Sequence, residues 1–263
     1  MAEKIRQPAV AGMFYPADAN ELGAMVDNLL NHVTPVESKA PKAIIAPHAG
    51  YIYSGPVAAS VYQLLKQSAD QIQRVILLGP SHRVPFRGMA VSSATHFATP
   101  LGLIPLDRET ISLISKLPNV NLLDEAHAME HSLEVHLPFL QKILSGFSLV
   151  PIVVGDTNPD EVAEVLKAVW GGDETLIVIS SDLSHYHDYQ TARKMDRATS
   201  DAIEKLSPED IGYEDACGRN PVKGLLYLAR DLGLHATTID LRNSGDTAGP
   251  KDQVVGYGAY TIS

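Results

Sequence analysis

The chain has 263 residues, 45% of them hydrophobic, so it is long enough to bury a sizeable core and does not resemble a disordered protein. Its formal charge of -10 and the lack of a basic patch argue against binding to nucleic acid or to an anionic membrane surface. No apolar run reaches the roughly 20 residues of a membrane-spanning helix, and the start carries no secretory signal, so we expect a cytosolic protein.

Short apolar runs predict seven strands, and helical stripes lie between them. The predicted strands cover 42–46, 74–78, 89–92, 148–154, 175–180, 236–241 and 254–261. Helices are predicted from the apolar stripes that begin at Leu22 and Val162, and over 55–67, 107–117, 133–144, 189–206 and 220–232.

Three helix starts carry capping signals. Asp18 stands three residues before Glu21, like an N-cap and its N3 partner. Asn158-Pro159 and Ser207-Pro208 place a cap residue before proline at the first helical position. We therefore predict helices that begin at these three points.

The alternation of strands and helices predicts an α/β protein, a three-layer α/β/α sandwich with a central mixed sheet. Several strand runs lack polar alternation, as expected for strands covered on both faces. The chain has no Pro/Ser-rich linker and no internal repeat, so residues 1–263 are expected to form a single domain.

Four polar clusters follow apolar runs, at the place where open α/β sheets form ligand crevices. They are PHAGY with His48, GPSH with His82, SDLSHY with Asp182 and His185, and NSGD, which ends in Asp246. Structural interpretations stay open, because a histidine at a strand end often satisfies backbone groups, Asp182 could cap a helix and NSGD could be an ordinary turn.

A fifth cluster, EHSLEVH, enters the predicted helix 133–144. His131 and Glu134 are three residues apart, so on a helix they would share a face and point jointly into the crevice. Neither HExxH nor HxxEH occurs, which argues against a zincin-type protease, and no phosphate-binding glycine motif indicates a nucleotide cofactor. The only cysteine, Cys217, excludes an intrachain disulfide, lacks metal-ligand spacing and is interpreted as structural.

Six segments together resemble the Memo family (Mediator of ErbB2-driven cell motility), whose prokaryotic members are described as AmmeMemoRadiSam system protein B. They are AVAGMFYP, APHAGYIYSG, LLGPSH, EHSLEVHLPFL, ISSDLSHY and NSGD with VVGYGAY, and they run in order from Pro8 to Tyr260. The resemblance implies a fold similar to the class III extradiol dioxygenases of the LigB type, non-haem Fe(II) enzymes that open catechol rings.

The resemblance also implies roles for individual residues. His48 and His82 would be metal ligands, and His185, with Asp182 beside it, would be the general acid/base. In animal members a cysteine in the segment matching NSGD completes the metal site. Here Asp246 stands in that segment and would form a two-histidine-one-carboxylate site for Fe(II), with Zn or Cu as alternative metals.

We assign substrate binding to His131, Glu134 and Tyr51. The implied function is a metal-dependent, dioxygenase-like oxidoreductase acting on an unknown small substrate. Two alternatives stay open: a non-catalytic module that binds a peptide or small ligand in the same pocket, and a metal-assisted hydrolase or partner of a radical SAM enzyme. An AMMECR1-like protein and a radical SAM enzyme are expected partners by family association, and a homodimer is a general expectation.

Overall fold

The computed structural model describes residues 3–34 and 40–263. Its strands are β1 (Ile5–Arg6), β2 (Ala43–Ala46), β3 (Arg74–Pro80), β4 (Met89–Val91), β5 (His96–Thr99), β6 (Gly102–Pro105), β7 (Val120–Leu122), β8 (Ser148–Val154), β9 (Thr175–Ser180), β10 (His185–His187), β11 (Ala236–Asn243) and β12 (Val254–Ile262). Its helices are α1 (Ala19–Asn31), α2 (Tyr51–Tyr62), α3 (Arg108–Ile114), α4 (Asp124–Ala128), α5 (Leu137–Ile143), α6 (Pro159–Ala168), α7 (Tyr189–Glu204), α8 (Arg219–Asp231) and α9 (Ser244–Thr247).

The main sheet is mixed, as predicted. Its strand order is β10-β12-β2-β9-β3-β8-β4-β7, and β11 pairs with β12. The four central strands, β2, β9, β3 and β8, are parallel, whereas β12 runs antiparallel to β2 and β4 runs antiparallel to β8. These central strands are almost entirely buried, which explains their uninterrupted apolar sequences.

Helices flank this sheet and complete three layers. In one layer α2 packs on β2, β11 and β12 and contacts α1 and α5. In the other α8 packs on β3 and β9 and contacts α6, while α7 covers β11 and β12. None of the helices in the described part of the chain is long and apolar enough to cross a membrane.

Two of the capping predictions are confirmed. Asp18 accepts hydrogen bonds from the backbone N–H groups of Asn20 and Glu21 and begins α1. Asn158 forms a capping box with Glu161 at the start of α6, behind a proline at the first helical position.

The third capping prediction is wrong in extent, because the segment that begins at Ser207 forms only a short 3-10 turn, Pro208–Asp210. The helix predicted over 133–144 also begins late: a 3-10 turn, Glu134–His136, leads into α5. His131 therefore precedes the helical segment instead of lying on it. The short strands β1, β5, β6, β7 and β10 were not predicted, since they are too brief to show a periodic pattern.

A second, three-stranded sheet of β1, β5 and β6 holds the N-terminal segment against the domain. From β1, the buried Arg6 donates to the backbone oxygens of His127 and Glu130 and forms an ion pair with Glu134. The same carboxylate accepts from the N–H groups of Ala9 and Val10. The N-terminal segment thus clamps the loop that precedes α5.

Candidate metal centre

Three histidines converge at one edge of the main sheet. One ring nitrogen each from His48, His82 and His131 lies within 4.8 Å of the other two. The ring centroids are 5.1 Å apart for His48 and His82, 5.5 Å for His48 and His131 and 4.6 Å for His82 and His131. Three imidazoles at this separation could hold one metal ion.

The order of the parallel strands explains the convergence. His48 follows β2 and His82 follows β3, while Asp182 follows β9, which lies between them. The carboxyl ends of parallel neighbours meet at the same edge, so residues 34 positions apart in sequence or more become neighbours. His131 arrives separately, from the loop between α4 and the turn that leads into α5.

The hydrogen bonds of His48 define which ring nitrogen is free. Its Nδ1 lies 2.6 Å from the Ser180 hydroxyl oxygen, and that hydroxyl donates its own proton to the backbone oxygen of Ser132. The Ser180 oxygen therefore accepts from the His48 Nδ1–H, which leaves a lone pair on Nε2. His48 is thus held in the tautomer that can bind a metal through Nε2.

His82 has the same arrangement with a stronger acceptor. Its Nδ1 donates to the Glu130 carboxylate at 2.9 Å, and its backbone N–H donates to the other carboxylate oxygen at 2.6 Å. Glu130 is buried and also accepts from the N–H groups of His131 and Ser132. Although burial alone would raise the Glu130 pKa, these hydrogen bonds outweigh it and lower that pKa to about 2.

Glu130 therefore joins the turns that carry two of the three histidines. A histidine that donates its second ring N–H to a carboxylate is the usual outer-shell arrangement of metal-binding histidines, because the contact fixes the ring orientation. The imidazole donors, held in place by such contacts, are therefore chemically suited to bind a metal ion.

Burial keeps His48 and His131 neutral at pH 7. Removal from water lowers the pKa of His48 far below its usual range, and the neighbouring imidazoles act in the same direction. Burial likewise lowers the pKa of His131 to about 4, with His82 adding to the effect. Neutral imidazole is the form that binds metals.

A fourth histidine, His185, lines the same cavity. Its Nδ1 lies 2.8 Å from the backbone oxygen of Leu183, and since a carbonyl oxygen only accepts, Nδ1 carries a proton; in the neutral ring the lone pair is then on Nε2. The Asp182 carboxylate accepts from the backbone N–H of His48 at 2.7 Å. Burial raises the Asp182 pKa to about 6, against the opposing effect of His185.

A thiol also lies at the site, but it comes from Cys217, in the loop before α8. Its Sγ is 3.3 Å from the His48 Nε2, within hydrogen-bond distance of the lone pair on that nitrogen. Burial, with the nearby Asp182, raises the thiol pKa. The interpretation of Cys217 as a structural residue is therefore incomplete, because its thiol lies beside one of the three histidines.

The cavity at this edge has a volume of about 600 Å³, within the range of small-molecule sites. It is lined by His48, His82, His131, Asp182 and His185, together with Cys217 and Arg219 and the aromatic residues Phe14, Tyr186 and Tyr213. The histidine clusters predicted after the strands therefore do come together in one pocket.

Asp246 does not join them. NSGD forms the first turn of α9, where Asn243 and Asp246 make a reciprocal capping box. Asp246 is exposed, accepts from the Tyr189 hydroxyl at 2.6 Å and lines a different surface cavity. The predicted two-histidine-one-carboxylate set is corrected accordingly: His131 takes the place at the centre that was assigned to Asp246.

Two of the residues assigned to substrate binding also lie elsewhere. Glu134 faces Arg6 and the N-terminal segment, because the chain turns between His131 and Glu134 and the two side chains do not share a helix face. Tyr51 is buried, and its hydroxyl donates to the backbone oxygen of Val135. Neither lines the cavity.

Glu130, Cys217 and Arg219 are the site residues that sequence reasoning missed. Glu130 stands beside His131 in EHSLEVH, so an acidic residue next to a candidate ligand was a usable signal. Cys217 and Arg219 follow no apolar run, and only the packing of α8 against β3 and β9 brings them to the pocket.

The family model described as Memo-like protein matches residues 6–261. A MEMO1 family protein from Aquifex aeolicus is 40% identical over 97% of each chain, and one from Ignicoccus hospitalis is 38% identical over 97% of each chain.

A solved structure shares the fold. The crystal structure of an uncharacterized protein, JW3007, from Escherichia coli K12 matches 86% of this chain and 100% of its own with a TM-score of 0.52, at 16% identity. Because the family model spans nearly the whole chain and the relatives match it end to end, this protein belongs to the Memo-like family.

Proposed function

We propose that this protein is a metal-dependent oxidoreductase of the non-haem type, which holds Fe(II) at His48, His82 and His131 and acts on a small substrate in the adjoining cavity. The observation that supports it best is the meeting of three ring nitrogens within 4.8 Å, with the Nδ1 atoms of His48 and His82 already engaged. An iron ion would supply Lewis acidity and redox chemistry to the cavity.

The side chains around the centre divide the remaining work. Ser180 and Glu130 orient the metal-binding rings of His48 and His82 through Nδ1. Because Nδ1 of His185 donates to a backbone oxygen, Nε2 of the neutral ring is the atom that accepts a proton from a substrate hydroxyl group. Asp182 holds the turn after β2 by accepting from the His48 N–H, and its raised pKa suits a group that exchanges a proton near neutral pH.

Metal binding is tested by anaerobic titration with Fe(II), and in parallel with Zn(II) and Cu(I). His82→Ala and His131→Ala should each weaken binding by at least about tenfold, because each removes one of three nitrogen donors. His32→Ala is the matched control, since His32 is exposed at the C-cap of α1, where its Nδ1 contacts the backbone oxygen of Asn28. Wild-type affinity in both pocket variants would contradict the three-histidine site.

Catalysis is tested by oxygen uptake of the Fe(II)-loaded protein with a panel of catechols. His185→Gln should abolish turnover while it leaves Fe(II) affinity within about twofold, because His185 is assigned proton transfer and not metal binding. An iron-loaded protein that consumes no oxygen with any catechol would contradict the oxidoreductase and favour a non-catalytic ligand-binding pocket.

A further inference from the structure

The guanidinium group of Arg219 lies in the wall of the metal-site cavity, where its described contact is with an aromatic ring. Arg219 is the first residue of α8 and is half-buried. Its side chain contacts the Tyr213 ring, with the guanidinium carbon 4.1 Å from the ring centroid. Within the described part of the chain no carboxylate or carbonyl oxygen accepts a hydrogen bond from it.

Most other arginine side chains in the described part of this acidic chain contact an oxygen atom, unlike Arg219. Most described guanidinium groups contact carboxylate or backbone oxygens, as do those of Arg6, Arg74, Arg108, Arg197, Arg230 and Arg242. Acidic residues outnumber basic ones by 31 to 21, so counter-charges are plentiful. Among the residues that the structure describes, the guanidinium of Arg219 meets a ring and no oxygen, so it is available to bind an anion from solution.

The contact with Tyr213 also orients the group. A guanidinium that lies against an aromatic face keeps its N–H donors in the ring-parallel plane, where they can meet both oxygens of a carboxylate. Stacking restricts the side chain before a ligand arrives, so less conformational entropy is lost on binding. This geometry suits a planar acid better than a point charge.

Aromatic side chains surround the same opening. Tyr213 and Tyr186 line the cavity although they are 74% and 71% exposed, and Phe14 lines it as well. Tyr186 also has a φ of 61°, a left-handed conformation that is costly for a residue other than glycine. Large rings kept in water beside a cavity offer stacking surfaces for a flat apolar group.

We propose that the substrate of this cavity is a small ring-bearing carboxylate, whose carboxylate group binds Arg219 while its ring lies among Phe14, Tyr186 and Tyr213. The proposal rests on the proposed function in taking the metal-site cavity as the substrate site. Carboxylate is favoured over phosphate because Arg219 is the one basic side chain of fixed charge among the described residues of the lining, and a phosphate monoester would bring up to two negative charges.

Calorimetric titration of the full chain with benzoate tests this assignment, after treatment with a chelator so that the carboxylate cannot coordinate a metal. Benzyl alcohol keeps the ring without the charge, acetate keeps the charge without the ring, and phenyl phosphate replaces the anion. Benzoate should bind at least about tenfold more tightly than benzyl alcohol or acetate.

Arg219→Gln should weaken benzoate binding by at least about tenfold and leave benzyl alcohol binding unchanged. Arg219→Lys should give an intermediate loss, because it keeps the charge and loses the planar fork. Arg230→Gln is the matched control, since Arg230 lies near the end of the same helix and pairs with Glu209; its benzoate affinity should equal that of the wild type.

Equal benzoate affinity of wild type and Arg219→Gln would overturn the proposal, and so would equal binding of benzoate and benzyl alcohol by the wild type. Preference for phenyl phosphate would overturn the carboxylate in favour of a phosphate ligand. Fe(II) titration of Arg219→Gln should match the wild type, so a failure of the metal site and a failure of the anion site are observed separately.

Discussion

The buried ion pair between Arg6 and Glu134 provides the sharpest test of how the N-terminal segment is held. Glu134 is 1% exposed, and its carboxylate accepts from the Arg6 guanidinium, from two backbone N–H groups and from the Tyr15 hydroxyl. Glu134→Gln keeps the size of the side chain and removes its charge. It leaves the guanidinium of Arg6 buried without a counter-charge.

Loss of one partner of a buried pair costs about 3–5 kcal/mol, so Glu134→Gln should lower the free energy of unfolding by that amount. For a chain of this length the melting temperature should fall by about 10 °C. Urea unfolding followed by circular dichroism measures the change directly. Glu209→Gln is the control, because its pair with Arg230 is exposed and should contribute less than about 1 kcal/mol.

A loss below about 1 kcal/mol in Glu134→Gln would refute this reasoning, since it would mean that water or a rearranged side chain compensates Arg6. The same result would remove the physical basis for the clamp on the loop before α5. A large loss in Glu209→Gln would also contradict it, because burial would then not distinguish the two pairs.

Three further predictions concern metal binding, the pH dependence of stability and the backbone. Glu130→Gln should weaken Fe(II) binding by about 10–100-fold in the anaerobic titration, because an amide cannot accept from His82 at both oxygen positions; unchanged affinity would contradict the orienting role. Burial raises the pKa of Asp196 to about 6 from 3.8, so the native state binds this proton more tightly and wild-type stability falls as the pH rises through that interval. The side chain in Asp196→Asn cannot ionise, so between pH 4 and pH 7 the free energy of unfolding of this variant, measured with urea, should rise by up to about 3 kcal/mol relative to that of the wild type. Parallel pH profiles of the two proteins would contradict this prediction. Gly88→Ala should lower the free energy of unfolding by more than about 2 kcal/mol, because the φ of Gly88 is +84° and a Cβ there would stand 2.3 Å from a backbone oxygen. The control is Gly146→Ala, where a Cβ would meet nothing within 4 Å and the change should be less than about 1 kcal/mol. Equal losses in the two variants would refute the reasoning.

Local chemistry explains which features could be predicted from the sequence. Asp18 and Asn158 cap their helices through contacts within three residues, so neighbouring residues alone determine them. The central strands appear as apolar runs because both of their faces are covered. His48 and His82 could be recognised as candidate ligands because they follow such strands directly, and parallel strands bring their carboxyl ends to one edge.

The composition of the centre depended on contacts between distant segments. Spacing suggested that His131 and Glu134 act together, yet the chain turns between them, and Arg6 draws the carboxylate to the N-terminal segment while His131 joins the other two histidines. A helix-face argument holds only where a regular helix forms, and here the regular helix begins later.

The sequence by itself determined the family, the mixed α/β architecture and the two strand-end histidines. Only the tertiary structure decided that Cys217 lies beside His48 and that Asp246 belongs to the capping box of a short helix elsewhere. The physical reason is range: hydrogen-bonding and periodicity signals act over a few residues, whereas Cys217 is 169 positions from His48 and reaches it through the packing of α8 on the sheet.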